Sequence, residues 1–443
     1  MRAIPMPLAR IAWRNVRKNW RHSLGSMLSI VVGFVAIALF QGYLSDLERI
    51  QIRWMEQKSM VGSVIVEKPG ASGSEGRQDP LAYVLTRDDQ AFVDAFLRSH
   101  ASDVVDRMRV LQLGGLASAG RTGVMFGAWG HDVAEGARMR GPWTWNAVGG
   151  KPLHLAAPGS VLLGGGLGRL LDCEGPSVAS AVGPGGGFIA EERPFTCRQA
   201  RVQLAATTVS GQLNAIEPAV AGIFDAGVSE VDARFVLMPL DMAQRLLDTD
   251  AVSFYTVALS GDVAATERFA SVLSAEARAK GLKIVAIPWR VHPFAELYRR
   301  GRDVLGAFRV LVLFVVVVIA GMSVFTTLLK SVNERVREIG TLRSLGFRRR
   351  QLVRLFTLEG ALLATLSSVV GLVVAALAVT GVNAAGVSYS AGVASQPIPL
   401  TVSLSAGVIV GATLLLAGVA VFAAFFPARR AARLAIPDAL SQA

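Results

Sequence analysis

The chain has 443 residues, 52% hydrophobic and 18% charged, with a formal net charge of +12. That length exceeds a single core, and the balance points to a membrane protein with a sizeable soluble part. The charge is not a nucleic-acid footprint, because it is concentrated in three short stretches beside apolar runs. Segments 1–22, 330–354 and 428–443 hold six, eight and three Lys/Arg against zero, two and one acidic residues. They therefore carry +14, which leaves −2 for the remainder.

Residues 1–22 read as a cytoplasmic amphipathic helix. Leu8, Ala12, Val16 and Trp20 recur on one helical face, with Arg10, Arg14, Arg17, Lys18 and Arg21 around them. Trp13 and Trp20 suit the headgroup level, so the segment is expected to lie on membrane lipid; the plainer alternative is a basic flank that fixes orientation. Residues 23–45 are the first expected span, about 20 apolar residues against roughly 30 Å of hydrocarbon. The run continues into Gln41, Tyr43 and Leu44 without a small-residue cleavage site, which favours a retained helix over a signal peptide.

Residues 46–302 hold no further span and are long enough for an exterior α+β domain. The expected division is a compact part from 46–118 and 226–302, around a β-rich, Gly/Pro-rich insertion at 119–225. Helical patterns fall at Asp88–Arg98, Asp241–Leu247 and Thr266–Lys280; strand patterns fall at Ser63–Val66, Val104–Leu113, Phe235–Met238, Val252–Leu259 and Leu282–Ile287. Gly164–Gly166 with Gly168 looks superficially like a phosphate-cradling loop but lacks its context, so a turn is expected. Cys173 and Cys197 are the two cysteines of the chain. They are a disulfide candidate in an exterior segment, or else two small buried residues.

Segments 303–329, 355–380 and 402–427 are the second, third and fourth spans. The loop at 381–401 lacks Lys and Arg, as an exterior loop should, and the tail 428–443 is basic again. Four spans with both termini cytoplasmic satisfy these asymmetries. Glu359 is the main ionisable residue in a span, expected as a helix-end carboxylate paired with Arg354 or another base rather than a proton relay. No GxxxxGK followed by Ser or Thr, no HExxH and no GxSxG occurs, and the five histidines are scattered. A non-catalytic chain without a cofactor of its own is expected.

The basic loop 330–354 carries a pattern of its own. Val332, Val336 and Ile339 share a helical face that Leu342 and Leu345 extend, and such residues would leave an exposed apolar patch unless a partner covers them. Glu334 and Glu338 are like charges at i,i+4, which a partner could complement.

The run Glu334-Arg335-Val336-Arg337-Glu338-Ile339-Gly340, followed by Leu342-Arg343-Ser344-Leu345-Gly346, resembles the signature of FtsX-like, MacB-type ABC-transporter permeases. Pro427-Ala428-Arg429-Arg430-Ala431-Ala432-Arg433 resembles the tail of that family, and the order of one span, a large domain and three spans matches it. Ser344 and Phe347 depart from the small residues common at their positions. The resemblance implies a permease of the bacterial inner membrane with a periplasmic domain built of a porter-like subdomain and an insertion. The loop would be a coupling helix on a separate cytosolic ABC ATPase, which binds the ATP and Mg. It implies coupling residues Glu334, Arg335, Glu338, Ile339, Gly340, Arg343, Leu345 and Gly346. It also implies a dimer with a second copy or paralogue, and a periplasmic adaptor or lipoprotein carrier. The expected function is to pass ATP-driven movement to the periplasmic domain so as to move or release a lipoprotein, peptide or amphiphile. A transmembrane regulator of a periplasmic hydrolase or sensor is the alternative.

Overall fold

The computed structural model describes residues 6–18, 20–120, 122–144, 147–175, 191–334, 336–344, 346–389 and 398–433. The chain divides into two compact units. One comprises Met1–Glu48, Arg302–Val387 and Leu400–Ala443; the other comprises Arg49–Gly301 and Ser388–Pro399.

The helical unit begins with α1 (Met6–Lys18) and α2 (Trp20–Arg53). The first span thus outruns its expected limits of 23–45. Its helix continues to Arg53 and passes into a π-turn at Trp54–Lys58. Inside the bundle, Ile30, Phe34, Ile37 and Ala38 of α2 are buried. Gly371 is needed opposite them, because a Cβ there would stand 2.9 Å from the Phe34 ring.

The α/β unit is organised on one eleven-stranded sheet. Its strands are β1 (Val64–Glu67), β2 (Val104–Ala119), β3 (Thr122–His131), β4 (Ala147–Gly150), β5 (Ser160–Gly164), β8 (Gln203–Thr207), β9 (Leu213–Ile216), β10 (Ala219–Phe224), β11 (Phe235–Pro239), β12 (Phe254–Leu259) and β13 (Val285–Pro288). A separate pair, β6 (Cys173–Glu174) and β7 (Thr196–Cys197), is bonded through the two cysteines. The main order is β13-β1-β12-β2-β3-β11-β5-β10-β4, with β8 and then β9 beside β2. The β3–β11 and β5–β10 pairs are parallel.

Side chains alternate between two cores, as a period of two requires. Val64 and Val66, Val161 and Leu163, Val236 and Met238 lie in one core, together with Phe92 and Phe96 of α3 (Arg87–Ser99), Leu246 of α4 (Leu240–Leu247) and Leu273 of α5 (Val263–Ala279). Ile65, Leu162, Leu237 and Phe254 lie in the other, with Trp289 and Tyr298. Sheets buried on both faces read as continuous apolar runs. That accounts for the short, unbroken runs Val161–Leu163 and Phe235–Met238. Thr86 starts α3 with a reciprocal capping box to Asp89.

The sheet corrects the expected division at 119–225. β11 lies between β3 and β5, and β8 pairs with β2, so strands from the supposed insertion are interleaved with those of the flanking segments. The boundary drawn at residue 119 falls at the turn of the β2–β3 hairpin. Both segments contribute to each of the two apolar cores, so among the described residues no separate body splits off.

The chain then forms α6 (Glu296–Glu334), α7 (Val336–Ser344), α8 (Arg349–Ala384) and α9 (Ala406–Ala431). Among the described residues, four helical stretches are long and apolar enough to cross a membrane: Ser23–Lys58, Pro293–Thr327, Arg349–Ala384 and Ala406–Arg430. Ser26 of α2 donates its hydroxyl to the Ser323 carbonyl at 3.1 Å, and the Ser323 hydroxyl donates to Ser29 at 2.9 Å, so small polar residues join α2 to α6.

Candidate partner-docking helix

The segment between the second and third apolar helices folds as α7 with a defined stop. The Gly346 N–H donates to the Arg343 carbonyl at 3.1 Å and the Phe347 N–H to the Leu342 carbonyl at 3.1 Å. These two bonds form a Schellman closure, and Gly346 sits at φ +94°, a conformation costly to any residue with a Cβ. Arg348 then donates its N–H to the Gln351 side chain at 2.8 Å as α8 begins. Gly346 therefore sets the angle between α7 and α8.

The apolar face of α7 points into the chain. Ile339, together with Val332 from the last turn of α6, is buried with Leu352 and Phe356 of α8 and Ala428 and Ala432 at the end of α9, and Leu342 packs against the same cluster. This corrects the expectation of an exposed apolar patch awaiting a partner. The period of the residues was read from the sequence, but the surface that covers them comes from the two neighbouring helices. Ile339, expected as a partner contact, is only 2% exposed, and Gly340 is buried too. Both hold α7 in place. Glu334, Thr341, Ser344 and Gly346 are exposed, and Arg343 is half-buried. Glu338 lies on α7 one residue before Ile339. Arg335 and Leu345 lie outside the described residues.

A second contact reaches the start of α8 from the N-terminus. Ala12 of α1 is buried with Leu355, and Ile11, Phe347, Leu358 and Leu362 pack around them. Asn15 donates from Nδ2 to Glu359 Oε1 at 2.6 Å. The expected partner of Glu359 was Arg354 or another base nearby. On an α-helix, residues five apart point in different directions, so Arg354 is poorly placed to pair with it. Sequence reasoning missed Asn15, although Asn15 lies on the Ala12–Val16 side of α1, the side facing inward.

Elsewhere the glycine run is resolved as structure. The Gly166 N–H donates to Asp232 Oδ2 at 3.0 Å and the Ala226 N–H donates to Asp232 Oδ1 at 3.1 Å. The start of the helix Gly165–Leu170 thus receives a carboxylate of the chain itself where a phosphate-binding loop would receive a ligand. Burial raises the pKa of Asp232. Lys58, at the end of the π-turn, forms a buried ion pair with Asp225. Burial, and secondarily the charge of Arg140, lowers the His131 pKa to about 4.

Residues 310–436 match the FtsX-like permease C-terminal family. The chain is 31% identical over 126 residues to the macrolide export ATP-binding/permease protein MacB of Neisseria gonorrhoeae, which covers 28% of this chain and 18% of that protein. It is 28% identical over 130 residues to the protein of the same name from Campylobacter jejuni, covering 29% and 18%. Each match therefore spans about a fifth of the relative's length. Among solved structures, the extracellular domain of the ABC-type transporter YknZ aligns with TM-score 0.29 and 10% identity over 46% of this chain and 89% of that chain. The periplasmic region of MacB from Actinobacillus actinomycetemcomitans aligns with TM-score 0.30 and 10% identity over 51% and 88%.

Proposed function

Residues 310–436 belong to the FtsX-like permease family, and from that premise we propose that the chain is the membrane subunit of an ABC transporter whose ATPase docks on α7. The ATPase is a separate cytosolic subunit that binds ATP and Mg. The observation that carries this reading is the packing of α7. Its apolar side is held by Leu352, Phe356, Ala428 and Ala432, so a push on its exposed side reaches the ends of two apolar helices at once. Coupling needs such a contiguous, stiff link between a docking surface and the elements that move.

On this reading α7 and both termini face the cytosol of the inner membrane, and the α/β unit lies in the periplasm. The excess of Lys and Arg in 1–22, 330–354 and 428–443 supports that orientation. The subunit works as a dimer, with itself or a paralogue. The cargo is a lipoprotein, peptide or amphiphile handled on the periplasmic side, with an adaptor or carrier as partner. Affinity purification from native membranes followed by mass spectrometry tests the reading. Recovery of a cytosolic ABC ATPase in stoichiometric amount is expected, and its reproducible absence would overturn the proposal.

A further inference from the structure

Among the described residues, the helix α1 is pinned through one side. Ala12 is fully buried and Val16 nearly so, and Asn15 on the same side is bonded to Glu359 of α8. With 100° per residue, Arg10, Arg14 and Arg17 fall on the opposite side as one stripe, and all three are exposed. Trp13 lies at the edge of that stripe and is 48% exposed. The helix Met6–Lys18 contains no acidic residue. Three arginines at i, i+4 and i+7 repel one another, a small penalty that a bound anion removes.

We propose that the outer face of α1 binds the phosphodiester headgroups of acidic phospholipids. Two features select lipid over an acidic protein. An exposed indole beside arginines is suited to the headgroup level of a bilayer. The face also belongs to a helix attached to the first turns of α8, an apolar helix long enough to cross the membrane, which sets it near one end of that helix. The arginine stripe runs about 10 Å along the helix, room for one or two headgroups. The Asn15–Glu359 bond makes the attachment directional. Lipid held by the arginines is linked through Asn15 to the third apolar helix, one turn from Leu355, which packs with Phe347 of the α7–α8 turn.

The test is thermal unfolding of the full chain in neutral detergent micelles, with phosphatidylglycerol or phosphatidylcholine added at equal mole fraction. A basic residue at an anionic surface strengthens binding roughly fivefold, so three give a preference on the order of a hundredfold for the acidic lipid. Phosphatidylglycerol should raise Tm several degrees more than phosphatidylcholine, and 0.5 M NaCl should erase most of the difference. The triple variant R10Q/R14Q/R17Q should lose the difference, and R10K/R14K/R17K should keep it. A control with R98Q/R268Q/R278Q, three exposed positions in the α/β unit, should behave as wild type. Inorganic phosphate should give no shift, which separates a headgroup in a lipid surface from a free anion. Equal stabilisation by both lipids, an undiminished shift in the Gln variant, or loss of the shift in the Lys variant would each overturn the proposal.

Discussion

Asn15 and Glu359 are 344 positions apart in sequence and 2.6 Å apart in space. The amide joins the N-terminal helix to the third apolar helix at a carboxylate that is 4% exposed. Asn15→Ala removes one donor from a buried carboxylate, and such a loss costs about 1–3 kcal/mol. The variant should unfold at lower denaturant, and amides of α1 should exchange faster while those of α9 do not change. Unchanged exchange across α1 would show that the bond does not hold the helix.

The α/β unit should weaken in acid through His131. Its folded pKa is about 4, below the ordinary value near 6.5, chiefly because burial disfavours the charged imidazolium. The unfolded chain therefore binds the extra proton first. Stability is whole above about pH 6.5 and declines as pH falls toward 4, by about 3 kcal/mol across that window. Asp232, whose carboxyl is raised by burial, acts in the opposite direction, so the comparison needs a variant. Guanidinium unfolding of wild type and His131→Gln at pH 7 and pH 5 isolates the histidine. The wild type should lose more stability than the variant between the two values; equal losses would contradict the assignment.

Cys173 and Cys197, 24 positions apart in sequence, are joined by a disulfide. A loop of that size is worth about 3 kcal/mol in the chain-entropy account of disulfides. Protein prepared without reductant should show no free thiol under denaturing labelling and two after reduction. Cys173→Ser should then lower Tm by several degrees. Two labelled thiols in protein recovered from an oxidising compartment would refute the bond.

What the sequence made legible, and what it did not, divides by range. The four apolar helices were plain because each is a long local run, and the strands near Ser63–Val66, Val104–Leu113, Phe235–Met238, Val252–Leu259 and Leu282–Ile287 were legible as short apolar runs, whereas β3, β4, β9 and β10 were not. The apolar face that runs from Val332 at the end of α6 to Ile339 and Leu342 of α7 was legible as a period. Its destination was not, because Leu352 and Ala428 approach it only in the folded bundle. The sheet was likewise misdivided, since the placing of β11 between β3 and β5 joins strands separated by more than 70 residues and leaves no local mark. Asn15 carries no local sign either, because a single amide on a basic helix is equally at home in water.

The central claim is that α7 is the surface on which an ATPase acts. Glu334 is exposed at the end of α6, and Glu338 lies on α7. Glu334→Lys with Glu338→Lys reverses both carboxylates and leaves the buried Ile339 unchanged. Association should weaken tenfold or more, about 1.4 kcal/mol or above, when the full chain is titrated with the ATPase that copurifies with it. Membrane insertion and Tm should stay at wild-type values. Wild-type affinity together with wild-type stimulation of ATP hydrolysis in the double variant would contradict the account.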